Sequence, residues 1–395
     1  MKVVSINLGN AGSTGGIARN IKNYAKEQGI EVYTAYPDSK STRPLEDHDI
    51  IIGKDFFRRI NRKLAYFTGY NGCFSPIATI CLIKSLKKIS PDIIHLHNLH
   101  HSYCNLPMLF NYIRESGVKV VWTLHDCWSF TGQCPHFTMV KCEKWRTGCY
   151  DCPQYHLYPE AFVDKTATMW MKKKKWFTGI SNLHLVTPSQ WLASLVKQSI
   201  LKDYDVTVIN NGIDVNVFKP MESDFKAVHN LDGKKIILGV AFGWGKKKGY
   251  DVFLKLAEQL PRNYKIILVG NVGSLPRNEN IMYINRTHNQ KELAALYTCA
   301  DVFANPTREE NFPTVNIESL ACGTPVVTFK TGGSPEILNE KTGSVVDVDD
   351  VEKFKNEILR VINQKPFSPE DCIDRAHEFT VQKMLSQYIH LYNSI

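Results

Sequence analysis

Two glutamates eight positions apart, Glu310 and Glu318, occur where an acidic loop passes into a predicted short helix. A carboxylate on the loop can accept hydrogen bonds from sugar hydroxyls, and a second one inside the helix can hold a ribose diol. Between them lies a helix N-terminus, whose amides and positive dipole end favour a phosphate. The segment therefore predicts a binding site for a nucleotide sugar.

A second loop, Gly243–Gly249, follows a predicted strand and carries Lys246, Lys247 and Lys248. Lysine ammonium groups on a glycine loop suit a diphosphate and stabilise the charge that grows on a leaving nucleotide. A solvent-exposed charged loop is the alternative. The sequence leaves open which lysine points toward a ligand.

A glycine-rich segment, Gly9–Gly16, comes directly after the first predicted strand and opens a helix. Glycines at such a place let the backbone approach a phosphate or a sugar closely. The spacing differs from the dinucleotide pattern G-x-G-x-x-G, so a dinucleotide site is not indicated. A plain tight turn is the alternative interpretation.

Histidines follow two of the predicted strands. His125-Asp126 ends the strand over residues 118–124, where a histidine can hydrogen-bond a substrate hydroxyl or move a proton. A buried histidine with satisfied hydrogen bonds is the alternative. At the end of residues 93–96 the chain carries His95, His97, Asn98, His100 and His101. Of these, Asn98, His100 and His101 are candidates for acceptor binding.

Five of the eleven cysteines lie within residues 127–152. Cys134, Cys142, Cys149 and Cys152 can together hold a structural zinc that staples a long loop. Free or redox-active thiols and disulfides are the alternatives, and Cys127 and His136 are substitute ligands. Residues 127–165 show no clear periodicity, which is typical of a functional insertion.

Predicted strands alternate with predicted helices along the chain, and the pattern restarts near residue 235. This arrangement predicts α/β architecture with two doubly wound parallel sheets, whose ligands bind at the carboxyl ends of the strands. We predict an N-terminal domain over residues 1–205, a second domain over residues 206–375, and a final helix within residues 376–395.

The positive charge is concentrated in the first half of the chain. The net charge is +9, and residues 1–190 hold 24 Lys and Arg against 14 Asp and Glu. A solvated surface explains this excess, and so does a basic face against anionic lipid. No recognition motif for nucleic acid accompanies it. No apolar run is long enough to span a bilayer, and the N-terminus does not resemble a signal peptide. We therefore predict a cytoplasmic protein, associated peripherally with the inner face of the membrane.

Taken together, these motifs resemble the retaining glycosyltransferases of family 4, which have the GT-B fold, and in particular bacterial transferases of capsule, O-antigen and colanic-acid assembly. Glu310 and Glu318 match the family's E-x7-E motif, and Thr123–Asp126 matches the segment of its active-site histidine. Segments 188–192 and 211–218 match its inter-domain regions. The cysteine-rich insertion is similar to that of the colanic-acid subgroup.

The resemblance implies two Rossmann-like domains facing across a cleft, with the insertion in the N-terminal domain. It places the acceptor on residues 1–205 and the nucleotide sugar on residues 206–375, with the last helix crossing back to the N-terminal domain. It makes His125 and Glu310 catalytic, with Glu310 on the sugar and Glu318 on the ribose. The implied donor-binding residues are Gly15, Gly16, Lys247, Lys248, Asn311, Phe312, Thr314, Val315 and Glu318.

Two positions depart from the family's pattern. If Lys248 is the phosphate-binding lysine, the arginine usually found five residues earlier is replaced by Gly243, and Lys246 or Lys247 is a candidate to supply the charge. The glycine that usually follows the first glutamate is Asn311. These changes bear on diphosphate binding and on sugar preference.

We expect transfer from a UDP- or GDP-linked sugar to a lipid-linked glycan, by a hexosyltransferase-type enzyme without a protein nucleophile. No Asp-x-Asp sequence stands out near a strand end, so no catalytic metal is expected. A nucleotide-sugar epimerase of the same fold and a zinc-stapled binding protein with a degenerate site are the alternatives.

Overall fold

The structure, a computed structural model, describes residues 1–38 and 44–395. The chain divides into two units: residues 1–209 with 385–395, and residues 210–384. Each unit is built on its own parallel sheet with crossover helices. Within the described ranges, no helix combines the length and the apolar character needed to cross a bilayer.

In its described residues, the first unit contains seven strands and six α-helices before its last segment. In chain order they are β1 (Lys2–Ile6), α1 (Gly12–Glu27), β2 (Glu31–Tyr36), β3 (Asp49–Ile51), α2 (Asp55–Thr68), α3 (Pro76–Ile89), β4 (Ile93–Leu96), α4 (Leu106–Ser116), β5 (Lys119–Thr123), α5 (Thr166–Phe177), β6 (Leu183–Thr187), α6 (Gln190–Val196) and β7 (Val206–Val208).

The second unit follows the same plan. Its elements are α7 (Phe225–Val228), β8 (Lys235–Gly243), α8 (Tyr250–Gln259), β9 (Tyr264–Asn271), β10 (Ile281–Ile284), α9 (Gln290–Cys299), β11 (Val302–Asn305), α10 (Thr314–Ala321), β12 (Val326–Phe329), α11 (Ser334–Ile337), β13 (Gly343–Val346), α12 (Val351–Gln364) and α13 (Pro369–Ala376). The last helix, α14 (Val381–Ser394), begins in this unit, and its residues from Leu385 onward belong to the first.

The strand order in the first sheet is β3-β2-β1-β4-β5-β6-β7, and in the second it is β10-β9-β8-β11-β12-β13. The order reverses direction between β1 and β4, and again between β8 and β11. At such a reversal the two crossovers leave on opposite faces and open a crevice at the carboxyl ends of the strands. The loops after these four strands are therefore the places where ligands are expected.

Burial of both sheet faces explains why the strands read as apolar runs. Ile93, Ile94, His95 and Leu96 of β4 are all buried. In β8, Ile236 and Leu238 pack into one core cluster and Ile237 into another, because successive side chains point to opposite faces.

Most strands that were predicted around the motifs form within a few residues of their expected bounds. The sequence patterns did not indicate the strands β2, β3, β10 and β13 or the helices α2, α3, α5, α7, α11 and α13. The segment over residues 127–165 contains a single 3₁₀ turn, Lys144–Arg146, and is otherwise irregular. The segment after Asn210 is anchored within the second unit, where Ile213 pairs with the backbone around Thr380.

Candidate functional site

The loops after β8 and β11 meet because these strands are neighbours. Lys248 Nζ lies 2.5 Å from Glu310 Oε2, and Lys247 Nζ lies 2.6 Å from Glu309 Oε2. Gly249, which directly follows Lys248, has a φ of +72°, and an added Cβ would come within 2.3 Å of the carbonyl oxygen of Pro306. Three predicted site residues, Lys247, Lys248 and Glu310, are thus brought together by a loop that requires glycine.

Arg308 holds the acidic loop in place. Its guanidinium contacts both oxygens of Asp251 at 2.7 and 2.8 Å, Asp349 at 2.6 Å and the carbonyl of Lys246 at 2.6 Å. The carboxylates raise the pKa of Arg308 above its ordinary value, chiefly through the Asp251 hydrogen bonds. Sequence reasoning missed this residue, since an arginine in a charged run gives no sign of its partners.

A third loop supports the backbone at Glu310. Gly332 follows β12 with a φ of +54°, and an added Cβ would lie 2.0 Å from the carbonyl oxygen of Glu310. The amide of Gly333 donates to the carbonyl of Asn311 at 2.7 Å. Asn311 and Phe312, both predicted donor-binding residues, are buried. The conformation of the acidic loop is therefore set by neighbouring backbone as well as by its ion pairs.

Helix α10 starts directly after this loop, at Thr314. The first amides of any α-helix lack intrahelical acceptors, so the amides of Thr314 and Val315 belong to the positive end of α10. Asn316 is buried, and its Oδ1 accepts from Asn305 Nδ2 at 2.7 Å, which ties the helix to β11. The helix start thus lies next to the Lys248–Glu310 pair in the chain and is fixed to the sheet.

Glu318 lies one turn into α10. The Tyr297 hydroxyl donates to its Oε2 at 3.1 Å, and burial raises the pKa of Glu318 to about 7. Removal from water disfavours the charged carboxylate, and the hydrogen bonds from Tyr297 and Thr314 offset only part of that cost. A partner with two hydroxyl donors, such as a diol, would favour the ionised form.

In the first unit, His97 and His125 stack at the ends of β4 and β5. Their rings lie 5.3 Å apart at 15°, and His97 Nδ1 is 3.0 Å from His125 Nε2. Burial lowers the pKa of His125 to about 4, and the neighbouring Asp126 offsets this only in part. The pKa of His97 is also lowered well below its ordinary value by burial. Both imidazoles are therefore neutral near pH 7.

A buried network beneath this pair involves α14. His95 Nδ1 lies 2.6 Å from the Tyr392 hydroxyl and His95 Nε2 lies 2.8 Å from Thr123 Oγ1. Thr123 Oγ1 in turn lies 3.1 Å from the Tyr388 hydroxyl. The two tyrosines were not predicted, because nothing local in the last helix shows which face packs on β4 and β5.

The predicted acceptor residues form a chain of contacts with the insertion. Tyr158 places its hydroxyl 3.0 Å from His100 Nδ1 and 2.6 Å from His101 Nε2, and His100 Nε2 lies 3.6 Å from Asp126 Oδ2. Asn98, His97, His125 and Asp126 line a small cavity of about 10 Å³ next to His100. Asn98, His100 and His125 thus lie together, and Tyr158 is a member that sequence reasoning missed.

Gly15 and Gly16 differ from their expected setting. The sequence predicts a helix from about Ile17, whereas α1 begins at Gly12, so both glycines lie in its first turns. A Cβ at Gly15 would come within 2.7 Å of the Asn10 backbone, so Gly15 is required by packing. A Cβ at Gly16 would meet nothing within 4 Å. Their approach to a phosphate stays a prediction.

The cysteine-rich insertion is held by packing and by a buried lysine. Lys173 of α5 donates to the carbonyls of Trp128 and Thr131 at 2.6 and 3.1 Å and lies 3.4 Å above the Trp128 ring. Burial lowers the pKa of Lys173 to about 7. Sequence reasoning gave no role to this lysine, which anchors the turn that follows His125-Asp126.

None of the eleven cysteines, all of which lie in the described ranges, forms a disulfide. Burial raises the pKa of Cys134 to about 12 and that of Cys149 to about 11. Within residues 1–38 and 44–395, no group of three or more His, Cys, Asp or Glu side chains is arranged to hold a metal ion. Zinc at Cys134, Cys142, Cys149 and Cys152 therefore stays a prediction that this arrangement does not support.

One Asp-x-Asp sequence does follow a strand, contrary to the sequence analysis. Asp347-Val348-Asp349 comes directly after β13. Asp349 is ion-paired with Arg308 at 2.6 Å and so helps to fix the acidic loop. Because Asp349 pairs with Arg308, Asp349 positions the acidic loop, a role that the sequence pattern alone does not reveal.

Comparison with known proteins places these features in a family. The model described as Glycosyltransferase Family 4 matches residues 14–217, and that described as Glycosyl transferases group 1 matches residues 221–379. The putative colanic acid biosynthesis glycosyl transferase WcaC of Escherichia coli K12 is 26% identical over the full length of both chains. A D-inositol 3-phosphate glycosyltransferase of Mycolicibacterium smegmatis is 27% identical over 46% of this chain and 47% of its own.

Solved structures agree on the fold. Sucrose-phosphate synthase of Thermosynechococcus elongatus matches with a TM-score of 0.72 at 18% identity, covering 99% of this chain and 98% of its own. Anabaena Alr3699/HepE in complex with UDP and glucose matches with a TM-score of 0.69 at 16% identity, covering all of both chains. The GT-B fold is thereby confirmed. The family models and the full-length relative confirm a glycosyltransferase of hexosyltransferase type, and the chain belongs to glycosyltransferase family 4.

Proposed function

We propose that this enzyme transfers a sugar from a UDP- or GDP-linked donor to a lipid-linked glycan, with retention of configuration, at the cytoplasmic face of the membrane. The observation that carries the donor site is the pairing of Lys248 with Glu310 beside the start of α10. The loops after β8 and β11 thus offer, side by side, a cation for a diphosphate, a carboxylate for sugar hydroxyls and helix amides for a phosphate.

The relatives support a role in surface polysaccharide synthesis. One is named for colanic acid biosynthesis, and a Klebsiella pneumoniae protein from a cps region is 24% identical over 96% of this chain and 97% of its own. Structures of Alr3699/HepE contain UDP and UDP-glucose, which makes a UDP-linked sugar the first donor to test.

In this mechanism the acceptor hydroxyl attacks the anomeric carbon on the face that the nucleotide leaves. The bond between that carbon and the diphosphate oxygen breaks, the new glycosidic bond forms, and the leaving phosphate takes the hydroxyl proton. Lys247, Lys248 and the amides of Thr314 and Val315 stabilise the charge that develops on the diphosphate. Glu310 holds the sugar, and Glu318 holds the ribose.

His125 contributes as a neutral hydrogen-bonding group in this proposal. The low pKa of its imidazole means that it carries no positive charge to oppose an oxocarbenium-like state. Asn98 and His100 line the same small cavity as His125, His101 is joined to His100 through the Tyr158 hydroxyl, and these three residues are proposed to bind the acceptor.

A thermal-shift screen of the full chain against UDP, GDP, ADP, CMP and their sugar conjugates tests the donor site. A ligand that binds the folded state raises the unfolding midpoint with its saturation. We expect a shift with one nucleotide that disappears in Glu318→Ala. No shift with any nucleotide in a folded sample would contradict the proposal, and conversion of the donor without an acceptor would instead indicate an epimerase.

A further inference from the structure

Helix α2 carries its apolar side chains on the outside of the first unit. Phe56, Phe57, Ile60, Leu64 and Phe67 are between 41% and 67% exposed, and together they are called the α2 face. At 3.6 residues per turn, all five lie on one arc of the helix. The buried residue of α2, Ala65, lies on the opposite side. An amphipathic helix of a soluble domain normally buries its apolar side chains in the core, whereas α2 exposes them.

Arg59 and Lys63 lie along one edge of the α2 face, and Arg62 lies farther round the helix. Arg59, Arg62 and Lys63 are exposed, and Arg59 shares Asp55 with Arg58 at 2.7 and 2.5 Å. The α2 segment therefore combines bulky apolar groups with a surplus of positive charge. This combination is typical of helices that lie in a membrane interface.

Neighbouring segments extend the apolar surface. Phe162 of the insertion is exposed, its ring lies 6.2 Å from that of Phe67, and its amide donates to the Tyr66 carbonyl at 2.8 Å. On α3, which packs beside the start of α2 through Ala78 and Gly53, Ile77 and Ile80 are exposed. The apolar surface thus spans α2 and the Phe162 loop, with exposed isoleucines on α3 nearby, more than isolated exposed residues account for.

We propose that the α2 face docks on an anionic lipid bilayer, with its phenylalanines between the headgroups, Arg59 and Lys63 at the lipid phosphates, and Arg62 farther round the helix at the neighbouring cavity. The choice of a lipid surface rests on charge complementarity combined with exposed aromatic rings. Nucleic acid would pair with the cationic side chains, but it would leave the phenylalanine rings of the α2 face exposed to water. The inference deepens the proposed function, on which it rests for the identity of the acceptor.

A cavity beside the α2 face connects this docking to the acceptor residues. It measures about 510 Å³, and its wall includes Arg62, Lys63 and Phe67 from α2 together with His101 and Tyr158. Tyr158 also contacts His100, which lies beside Asp126. A lipid-linked glycan can therefore keep its chains in the bilayer while its phosphate passes the cations and its sugar reaches the residues after β4 and β5.

Sedimentation of the full chain with vesicles tests the proposal. One set of vesicles is phosphatidylcholine alone, and the other is phosphatidylcholine mixed with phosphatidylglycerol. We expect binding to the anionic vesicles that weakens at least about tenfold in Arg59→Gln/Arg62→Gln/Lys63→Gln, because each cation near such a surface contributes roughly fivefold. Phe56→Ser/Phe67→Ser should weaken it about tenfold as well, since each exposed ring loses its burial in the interface.

Matched variants in the second unit act as controls. Phe242→Ser removes another exposed phenylalanine, and Arg262→Gln/Lys291→Gln/Lys341→Gln removes three exposed cations. Both should bind vesicles like the wild type. Equal, weak binding of the wild type to both vesicle types would overturn the proposal, and so would α2 variants that bind as the wild type does.

A nucleotide thermal shift on the same samples separates this inference from the proposed function. The α2 substitutions lie on exposed side chains and should leave both the unfolding midpoint and the UDP shift unchanged. A UDP shift without vesicle binding would overturn the docking face and leave the transferase proposal standing. Vesicle binding without any nucleotide shift would support the docking face and contradict the transferase proposal.

Discussion

Lys248 Nζ lies 2.5 Å from Glu310 Oε2, so the cation proposed for the diphosphate and the carboxylate proposed for the sugar neutralise each other before any ligand binds. The lysine follows β8 and the glutamate follows β11, and these strands are neighbours in the sheet. A donor that enters with a negative diphosphate and neutral hydroxyls offers each member of the pair a new partner. The ion pair thus holds both groups in position at little cost to binding, since it is partly exposed.

Replacing Lys248 by Met should weaken UDP-sugar binding about 10- to 100-fold, because one charge-assisted hydrogen bond to a phosphate is lost. Isothermal titration of the full chain measures this. Lys255→Met, an exposed lysine on α8, is the matched control and should bind as the wild type does. An unchanged Kd in Lys248→Met would remove this lysine from the donor site.

Comparing Glu310→Gln with Glu309→Gln should separate a loss of catalytic rate from a loss of stability. Glu310 is proposed to hold the sugar, so Glu310→Gln should lower kcat with little effect on UDP binding. Glu309 is buried and paired with Lys247 at 2.6 Å, so Glu309→Gln should instead lower the unfolding midpoint. Initial rates and thermal unfolding on both variants give the comparison. If both variants lose only stability, Glu310 does not act on the sugar.

The affinity for UDP-glucose should rise with pH through about 7. Burial raises the pKa of Glu318 to about that value, and a ribose diol donates more strongly, and through both hydroxyls, to the ionised carboxylate than to the protonated acid. Below the pKa, each pH unit should cost up to about tenfold in affinity. The diester diphosphate of UDP-glucose does not titrate in this range, so titrations at several pH values report on the protein.

Glu318→Gln is the control for that titration and should bind weakly at every pH, without the slope. Because the folded-state pKa of Glu318 is raised, its contribution to stability is complete below the unfolded value of 4.5 and is lost as pH rises through about 7. Relative to the wild type, Glu318→Gln should therefore gain stability at alkaline pH. A slope that persists in the variant would assign the titration to another group.

The first unit should lose stability as the solution becomes acidic. Burial lowers the pKa of His101 to about 3, with further contributions from His100, Arg62 and Arg58. A lowered histidine pKa gives stability that is present above the unfolded value of 6.5 and is lost as pH falls through that value toward 3. His101→Asn should reduce this dependence of the unfolding midpoint on pH.

His288→Asn, at an exposed histidine of the second unit, is the matched substitution and should leave the dependence as it is. Calorimetry between neutral and mildly acidic pH measures both variants. If the unfolding midpoint depends on pH equally in His101→Asn and in the wild type, protonation of His101 is not coupled to unfolding.

Thiol reactivity should divide the cysteines by burial. Cys81 is exposed on α3 and should react first with a thiol reagent, whereas Cys134 and Cys149 should react slowly because burial raises the pKa of their thiols. Cys81→Ser should remove the fast phase. Equimolar zinc in the purified protein would show instead that the four cysteines of the insertion are metal ligands.

The sequence determined the chemistry-bearing loops and the architecture that carries them. Glu310, Glu318, Lys248 and His125 are candidates from the sequence because their motifs are local, and local pattern is what a sequence displays. The alternation of strands and helices likewise predicted parallel sheets, since consecutive parallel strands require a crossover.

The tertiary structure decided which of these groups meet and how they are charged. The contacts of Arg308 with Asp251 and Asp349, and of His95 with Tyr392, join positions far apart in the chain. Burial, which sets the pKa of Glu318 and His125, depends on the same packing. The outward orientation of the α2 face was also undecidable from periodicity, because an amphipathic pattern gives the apolar arc of a helix but not the direction in which that arc faces.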